Sequence, residues 1–298
     1  MIEAAVSQVR SFNRLVTQRV GALNDHYLAR DRPLGEARLL WEIGREGCDV
    51  RRLRARLGLD SGYLSRLLRS LEAAQLVSVD QNEDDRRVRT AHLTPAGLVE
   101  RDLLEKRSDD LARSFLEFLS EPRRERLVAA MAEVELLLTA GLVEIRAVDP
   151  AERDAQLCLR EYFAELGRRF EAGFEAALSN SATLDDFRPP AGVFLVATLR
   201  AEPIGCGALR FHGDEPAELK RMWVAESARG LGIGRRLLTE LESRAAAEGV
   251  RVVRLDTNKT LTEAIGLYHS AGYHEVDAFN DEPYAHYWFE KHLRSAVL

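Results

Sequence analysis

The chain has 298 residues, more than one compact domain of ~100 to 200 residues normally holds, so two domains are expected. Hydrophobic residues at 46% and charged residues at 30% exclude a disordered, collagen-like or membrane-embedded chain. The formal net charge of -6 argues against a nucleic-acid partner only when taken over the whole chain, because the acidic excess lies mainly in the second half.

Cys48, Cys158 and Cys206 are widely spaced and form no CxxC pair, so neither a disulfide framework nor a zinc site is indicated, and no metal is expected. The setting expected is reducing and cytoplasmic. No apolar run follows a basic start, as a secretory signal would require. The most apolar long stretch, 127–143, is interrupted by Glu133 and Glu135 and reads as an amphipathic helix, not a membrane span.

In chain order, apolar positions at helical spacing predict a first helix over 2–23 and a second over 35–46, after Pro33. Asp49 caps a short third helix with Val50, Leu53 and Leu57 inward; Gly58 ends it, and Asp60-Ser61 caps a fourth to about residue 75. Two short helices around a glycine turn suggest helix-turn-helix. Strand-like runs 76–81 and 88–94 flank a charged tip, and Pro95 and Glu121-Pro122 open two further helices. A second domain begins near 143 with strand 143–148, a helix over 151–178 and a loop over 180–192. Strands follow at 193–199, 204–211, 217–224, 250–256, 273–276 and 285–290, with helices over 232–248 and 261–271. The domains expected are 1–141 and 142–298.

On the fourth helix Leu64, Leu67, Leu68 and Leu71 share one face, so Gly62, Arg66 and Arg69, with Ser61, Tyr63 and Ser65 at the edges, face outward. From Arg51 to Arg69 six arginines stand against one acid, Asp60. Local charge of this kind governs phosphate affinity, and arginine reads guanine edges bidentately; a merely solvated helix face is the other reading. The element order, with Asp84-Asp85-Arg86-Arg87 followed by Leu93-Thr94-Pro95-Ala96-Gly97, resembles the MarR family of winged-helix regulators across about 1–140. The resemblance implies a β-hairpin wing in which Asp84 orients Arg86 into the minor groove beside Arg87, and a fourth helix in the major groove. It also implies a homodimer through the N-terminal domain, on a pseudo-palindromic operator in double-stranded DNA.

Arg229-Gly230-Leu231-Gly232-Ile233-Gly234 lies between a strand and a helix, where backbone N–H groups and the helix dipole favour an anion. Alone the turn is a weak signal. With the strand over 219–224, the run Leu255-Asp256-Thr257-Asn258, and Ala264 to Tyr268 before Gly272-Tyr273, it resembles the GNAT N-acetyltransferases across about 143–293. That implies an α+β domain with a central mixed, mostly antiparallel sheet, and acetyl-CoA as donor to an amine attacking directly. By the resemblance Arg229 to Gly234 and Arg235 cradle the coenzyme phosphates, Met222, Trp223 and Val224 hold pantetheine and the thioester oxygen, and Tyr268 is the general acid. Glu218, on the strand facing that site, is the candidate base; pairing with Lys220 or Arg221 is its other reading. Many members have Asn seven residues before the tyrosine; Leu261 stands there, and nearby Asn258 is the replacement contact. Tyr284 and His286 are candidates for the acceptor amine. The function implied is a bifunctional regulator and acetyltransferase. The alternatives are a regulator whose GNAT half is a non-catalytic acyl-CoA or metabolite sensor, and an enzyme whose winged helix only dimerises it.

Overall fold

A computed structural model describes residues 2–23, 26–81, 89–171, 173–175, 182–213 and 215–293, and the chain divides into two units, Met1–Met131 and Ala132–Leu298. In the first, α1 (Ile2–Arg19) precedes α2 (Leu34–Ile43), β1 (Cys48–Asp49), α3 (Val50–Leu57) and α4 (Ser61–Ala73). β2 (Val77–Gln81) and β3 (Arg89–Leu93) follow, then α5 (Pro95–Leu116) and α6 (Glu121–Ala140), which crosses the division. The Asp49 carboxylate accepts from the N–H groups of Arg51 and Arg52 at 2.7 and 3.2 Å, and Asp60 accepts from Tyr63 N–H at 2.9 Å. These caps fix where the two short helices begin. Leu64, Leu67, Leu68 and Leu71 are all buried against Leu39, Leu40, Ile43 and Leu53, as their spacing requires.

The hairpin strands pair antiparallel, and β1 adds to the far side of β3, giving the order β1-β3-β2. Asp84, Arg86 and Arg87 lie outside the described residues. The start of α5 explains the Leu93 to Gly97 motif. Thr94 Oγ1 accepts from Gly97 N–H at 3.0 Å while donating to the Gln75 carbonyl at 2.7 Å. A Cβ on Gly97 would stand 2.0 Å from the Leu76 carbonyl oxygen, so only glycine lets the helix approach the strand this closely.

α5 also carries an ionic anchor. Glu100, buried, accepts from Arg30 at 2.6 Å and Arg32 at 3.0 Å, and Arg107 donates to the carbonyls of Leu28 and Ala29 at 2.7 Å. Leu28 and Ala29 hold φ of 53° and 54°, a region unfavourable for branched and Cβ-bearing residues, and the arginine contacts restrain them there. Hydrogen bonding from Arg30, and then the charge of Arg32, hold the Glu100 carboxyl below its ordinary value. A pKa lower in the folded state than in the unfolded one contributes stability above the unfolded pKa of ~4.3, lost as pH falls through the folded value. Glu100→Gln is therefore expected to cost about 2 to 4 kcal/mol at pH 7 and to flatten the acid limb of denaturant stability. A variant with wild-type stability at pH 7 would show that the anchor is not needed.

The second unit is built on one sheet of order β4-β5-β6-β7-β8-β10-β9. Its strands are β4 (Val143–Val148), β5 (Gly192–Leu199), β6 (Glu202–His212), β7 (Glu215–Val224), β8 (Val252–Thr257), β9 (His274–Val276) and β10 (Tyr287–His292). All neighbours are antiparallel except β7 and β8. The helices are α7 (Arg153–Arg169), α8 (Ile233–Ala247) and α9 (Thr262–Ser270). β5 is buried on both faces, with Phe194 and Val196 meeting Cys158 and Leu159 of α7, and Val193, Leu195 and Ala197 joining the core of α8. Cys206 is buried there with Cys158. α7 stops at Arg169 rather than running to 178, because Phe170 turns to extended backbone at ψ 129°. Among the described residues no helix is long and apolar enough to cross a membrane.

Candidate functional site

Two irregularities in β7 open the second unit. The strand pairs with β8 only at Ala217 and Glu218, and beyond them the two diverge while β8 continues along β10. Against β6 the register slips between Cys206 and Ala208, and Arg221 sits in this bulge at φ 58°. The β8-facing edge of β7 from Leu219 to Val224 thus has no strand partner, and two cavities occupy the gap.

The larger, of about 480 Å³, is lined by Met222, Trp223 and Val224, by Arg229, Gly230, Gly232, Ile233, Gly234 and Arg235, and by Leu267 and Tyr268. Gly230 and Gly232 hold φ of 86° and 72°, with open space where a Cβ would point, so the chain turns tightly into α8. The turn opens a 15-residue helix, and backbone N–H groups at such a helix start favour an anion. α7 supplies one wall through Tyr162, Glu165 and Arg169. Glu165 pairs with Arg229 at 2.6 Å and Arg169 at 3.2 Å and accepts from Trp223 Nε1 at 2.9 Å. Arg235 donates to the Ser270 hydroxyl, tying the cradle to α9. Arg236 instead donates to the carbonyls of Ala140 and Val143 at 2.7 Å. Leu231 packs against the core and does not line the cavity.

The smaller cavity, of about 90 Å³, shares Tyr162, Leu166, Met222, Leu261, Ala264 and Tyr268 with the larger and adds Lys220, Arg221, Asp256, Glu282 and Tyr284. Tyr268 therefore stands where the two meet. Its ring packs on Tyr273 and Phe289, and burial, reinforced by Tyr162 and Asp256, pushes its hydroxyl well above the usual phenol range. The group is a neutral proton donor throughout the physiological range.

Three expected residues are placed differently. Glu218 is one pair short of the gap, where β7 and β8 are still bonded; it meets Arg254 at 3.1 Å and His212 at 3.4 Å and lines neither cavity. Its expected position facing the acceptor is corrected on that ground, and the carboxylates that do line the cavity are Asp256 and Glu282. Asn258 lines the smaller cavity, not the cradle, and its side chain is engaged by Thr260 and the Tyr284 carbonyl. His286 is exposed and outside both cavities, whereas Tyr284 lies in the smaller. The sequence reading missed Tyr162, Glu165 and Arg169. Tyr162 continues the inward stripe Ala155, Cys158, Leu159, Leu166, but that periodicity marks only an inward face.

In the first unit, Ser61, Gly62, Tyr63, Arg66 and Arg69 are exposed on α4, Ser65 is half-buried, and Arg51 is exposed on α3. The Arg66 guanidinium lies over the Tyr63 ring at 5.6 Å, and Arg69 Nε donates to the Ser65 carbonyl at 3.2 Å.

Residues 155–273 match the acetyltransferase (GNAT) family and residues 31–88 the MarR family. The chain is 32% identical to the IAA acetyltransferase of Azospirillum brasilense over 43% of its own length and 84% of that protein. It is also 32% identical to an uncharacterized N-acetyltransferase of Schizosaccharomyces pombe, over 44% of this chain and 80% of the relative. A putative acyl-CoA N-acyltransferase from Klebsiella pneumoniae is similar in structure, with 24% identity, 51% of this chain and 99% of that one covered, and a TM-score of 0.43. The chain belongs to the GNAT acetyltransferase family through its second unit, and carries a MarR-family winged-helix segment in its first. It is an acyltransferase.

Proposed function

We propose that the chain is a DNA-binding regulator and an acetyl-CoA-dependent N-acetyltransferase in one polypeptide. The observation that carries the enzymatic half is the meeting of a glycine-cradle cavity and a charged, aromatic one at a single protonated tyrosine, Tyr268. Acetyl-CoA supplies an activated acyl thioester. Its fit is supported by the open, positive-φ glycines at the α8 start and by the unpaired β7 edge. Gly230, Gly232, Gly234 and Arg235 bind the phosphates, and main-chain N–H groups of Met222 to Val224 orient the carbonyl and receive its developing charge. Tyr268 holds its proton on Oη and delivers it to the departing sulfur. Glu282, a carboxylate in the wall of the same cavity as Tyr268, takes the amine proton in place of Glu218. CoA release that depends on both acetyl-CoA and an amine tests this half. Acetyl-CoA that shifts operator affinity without any amine-dependent release would favour a sensor.

The DNA-binding half rests on the α4 face. Arg66 and Arg69 read base edges, Ser61, Gly62, Tyr63, Ser65 and Arg51 contact the backbone, and Asp84, Arg86 and Arg87 extend the interface by the family resemblance. Arg66→Ala or Arg69→Ala is expected to weaken binding to a selected operator about tenfold or more. Equal affinity and salt slope in a mobility-shift titration would remove that residue from the interface. No residue of α1 or α6 is buried. Val6, Val9, Phe12 and Val16 on α1, and Val134, Leu137 and Leu138 on α6, form apolar stripes suited to a second copy of the chain, hence a homodimer on a pseudo-palindromic site.

A further inference from the structure

Two basic and two acidic side chains reach the smaller cavity: Lys220, Arg221, Asp256 and Glu282. Lys220 and Asp256 close on each other at 2.6 Å, and Asn280 donates to the same carboxylate oxygen at 3.1 Å. Arg221 differs. It is only 9% exposed, yet it makes no ion pair with any described residue.

The surroundings hold this guanidinium without neutralising it. Its Cζ lies 4.9 Å from the Phe163 ring centroid and 5.8 Å from that of Tyr162, and Phe163 is stacked on Phe174 at 5.8 Å. The bulge places Arg221 at φ 58°, and its carbonyl accepts from Cys206 Sγ at 3.2 Å, which fixes the backbone from behind. Aromatic faces lower the cost of burying a cation but do not replace a counter-ion. Tyr162 shares a side-chain hydrogen bond with Arg221 but brings no negative charge, so the buried guanidinium lacks a counter-ion among the described residues until an anion enters the cavity. That anion is not the coenzyme's, because Arg221 is absent from the wall of the glycine-cradle cavity.

We infer that the acceptor is a free amino acid with an apolar or aromatic side chain, whose carboxylate is held by Arg221. The planar fork of arginine matches a carboxylate bidentately. Phe170, Phe174 and Tyr284, mutually packed at 4.9 to 5.7 Å, take the side chain. The amine then lies toward Glu282 and Tyr268. As the new N–C bond forms the C–S bond breaks; sulfur keeps the electron pair and receives the Tyr268 proton, and Glu282 takes the proton lost by nitrogen. This rests on the acetyl-transfer reading above and adds the acceptor to it.

The test uses the full chain, acetyl-CoA and three L-amino acids, phenylalanine, leucine and methionine, each beside its carboxamide and its decarboxylated amine. The amino acids are expected to have kcat/KM about 10- to 100-fold above their uncharged counterparts. In Arg221→Gln that selectivity should collapse toward one, through KM more than kcat, while the Kd for acetyl-CoA stays as in wild type. Amides and amines accepted as well as the acids, or a selectivity unmoved in Arg221→Gln, overturn the inference while leaving acetyl transfer standing. Should the variant fail to fold, 3-phenylpropanoate on the wild-type protein decides: competition with the acceptor supports a carboxylate site, and its absence refutes one. No CoA release with any amine would instead refute the acetyl-transfer reading. Calorimetric titration of phenylalanine into the CoA-saturated protein then tests the carboxylate site alone, binding supporting it and no binding sinking it.

Discussion

Tyr268→Phe is expected to lower kcat by about 100-fold or more with no change in the Kd for acetyl-CoA. The substitution removes one oxygen and leaves the ring, which packs on Tyr273 at 5.8 Å and Phe289 at 6.0 Å, so neither fold nor coenzyme cradle is disturbed. What is lost is the proton at the junction of the two cavities. Burial raises the hydroxyl pKa, which keeps the acid form filled across the working range. The wild-type kcat should therefore show no alkaline decline from this group near the ordinary tyrosine pKa of ~10. Steady-state CoA release at saturating amine, beside calorimetry of acetyl-CoA binding, measures both. Turnover equal to wild type would take Tyr268 out of the proton transfer.

Gly97→Ala is expected to destabilise the first unit by about 3 kcal/mol or more and to abolish operator binding. One methyl suffices, because the new Cβ would stand 2.0 Å from the Leu76 carbonyl oxygen, well inside contact distance. That oxygen also accepts from Thr94 N–H at 3.0 Å, and Thr94 Oγ1 bonds the adjacent Gln75 carbonyl at 2.7 Å. Relief requires lifting α5 from the end of β2, which strains both bonds and draws Glu100 away from Arg30 and Arg32. Chemical denaturation followed by a probe in the first unit gives the size of the effect. An unchanged midpoint would mean that the helix start slides freely.

The elements that could be read from residues are those whose signals are local. Asp49 and Asp60 cap helices because a short polar side chain reaches its own backbone two or three residues on. The leucines of α4 and the glycines before α8 likewise act within a turn or two of their position. What stayed hidden depends on distant partners. β1 is a two-residue strand that exists only because β3 lies beside it. Glu218 was misplaced because strand alternation says which face a side chain takes but not where two strands part, and the parting comes just after it. The bulge at Arg221 has no glycine or asparagine to announce its positive φ; it is imposed by the ladder with β6. Tyr162 reaches the cavity from α7, some hundred residues before Tyr268, by packing alone.

The unpaired edge of β7 has a consequence for how this chemistry tolerates change. The grip proposed for Met222 to Val224 is made of main-chain N–H groups and is indifferent to the side chains hung upon it, so substitutions at Met222, Trp223 or Val224 are expected to alter the shape of the slot without deleting its donors. An alanine scan would pass over the contact. Proline is the one natural residue that erases an N–H, and along this edge it would act as a selective knockout where ordinary truncations remain silent.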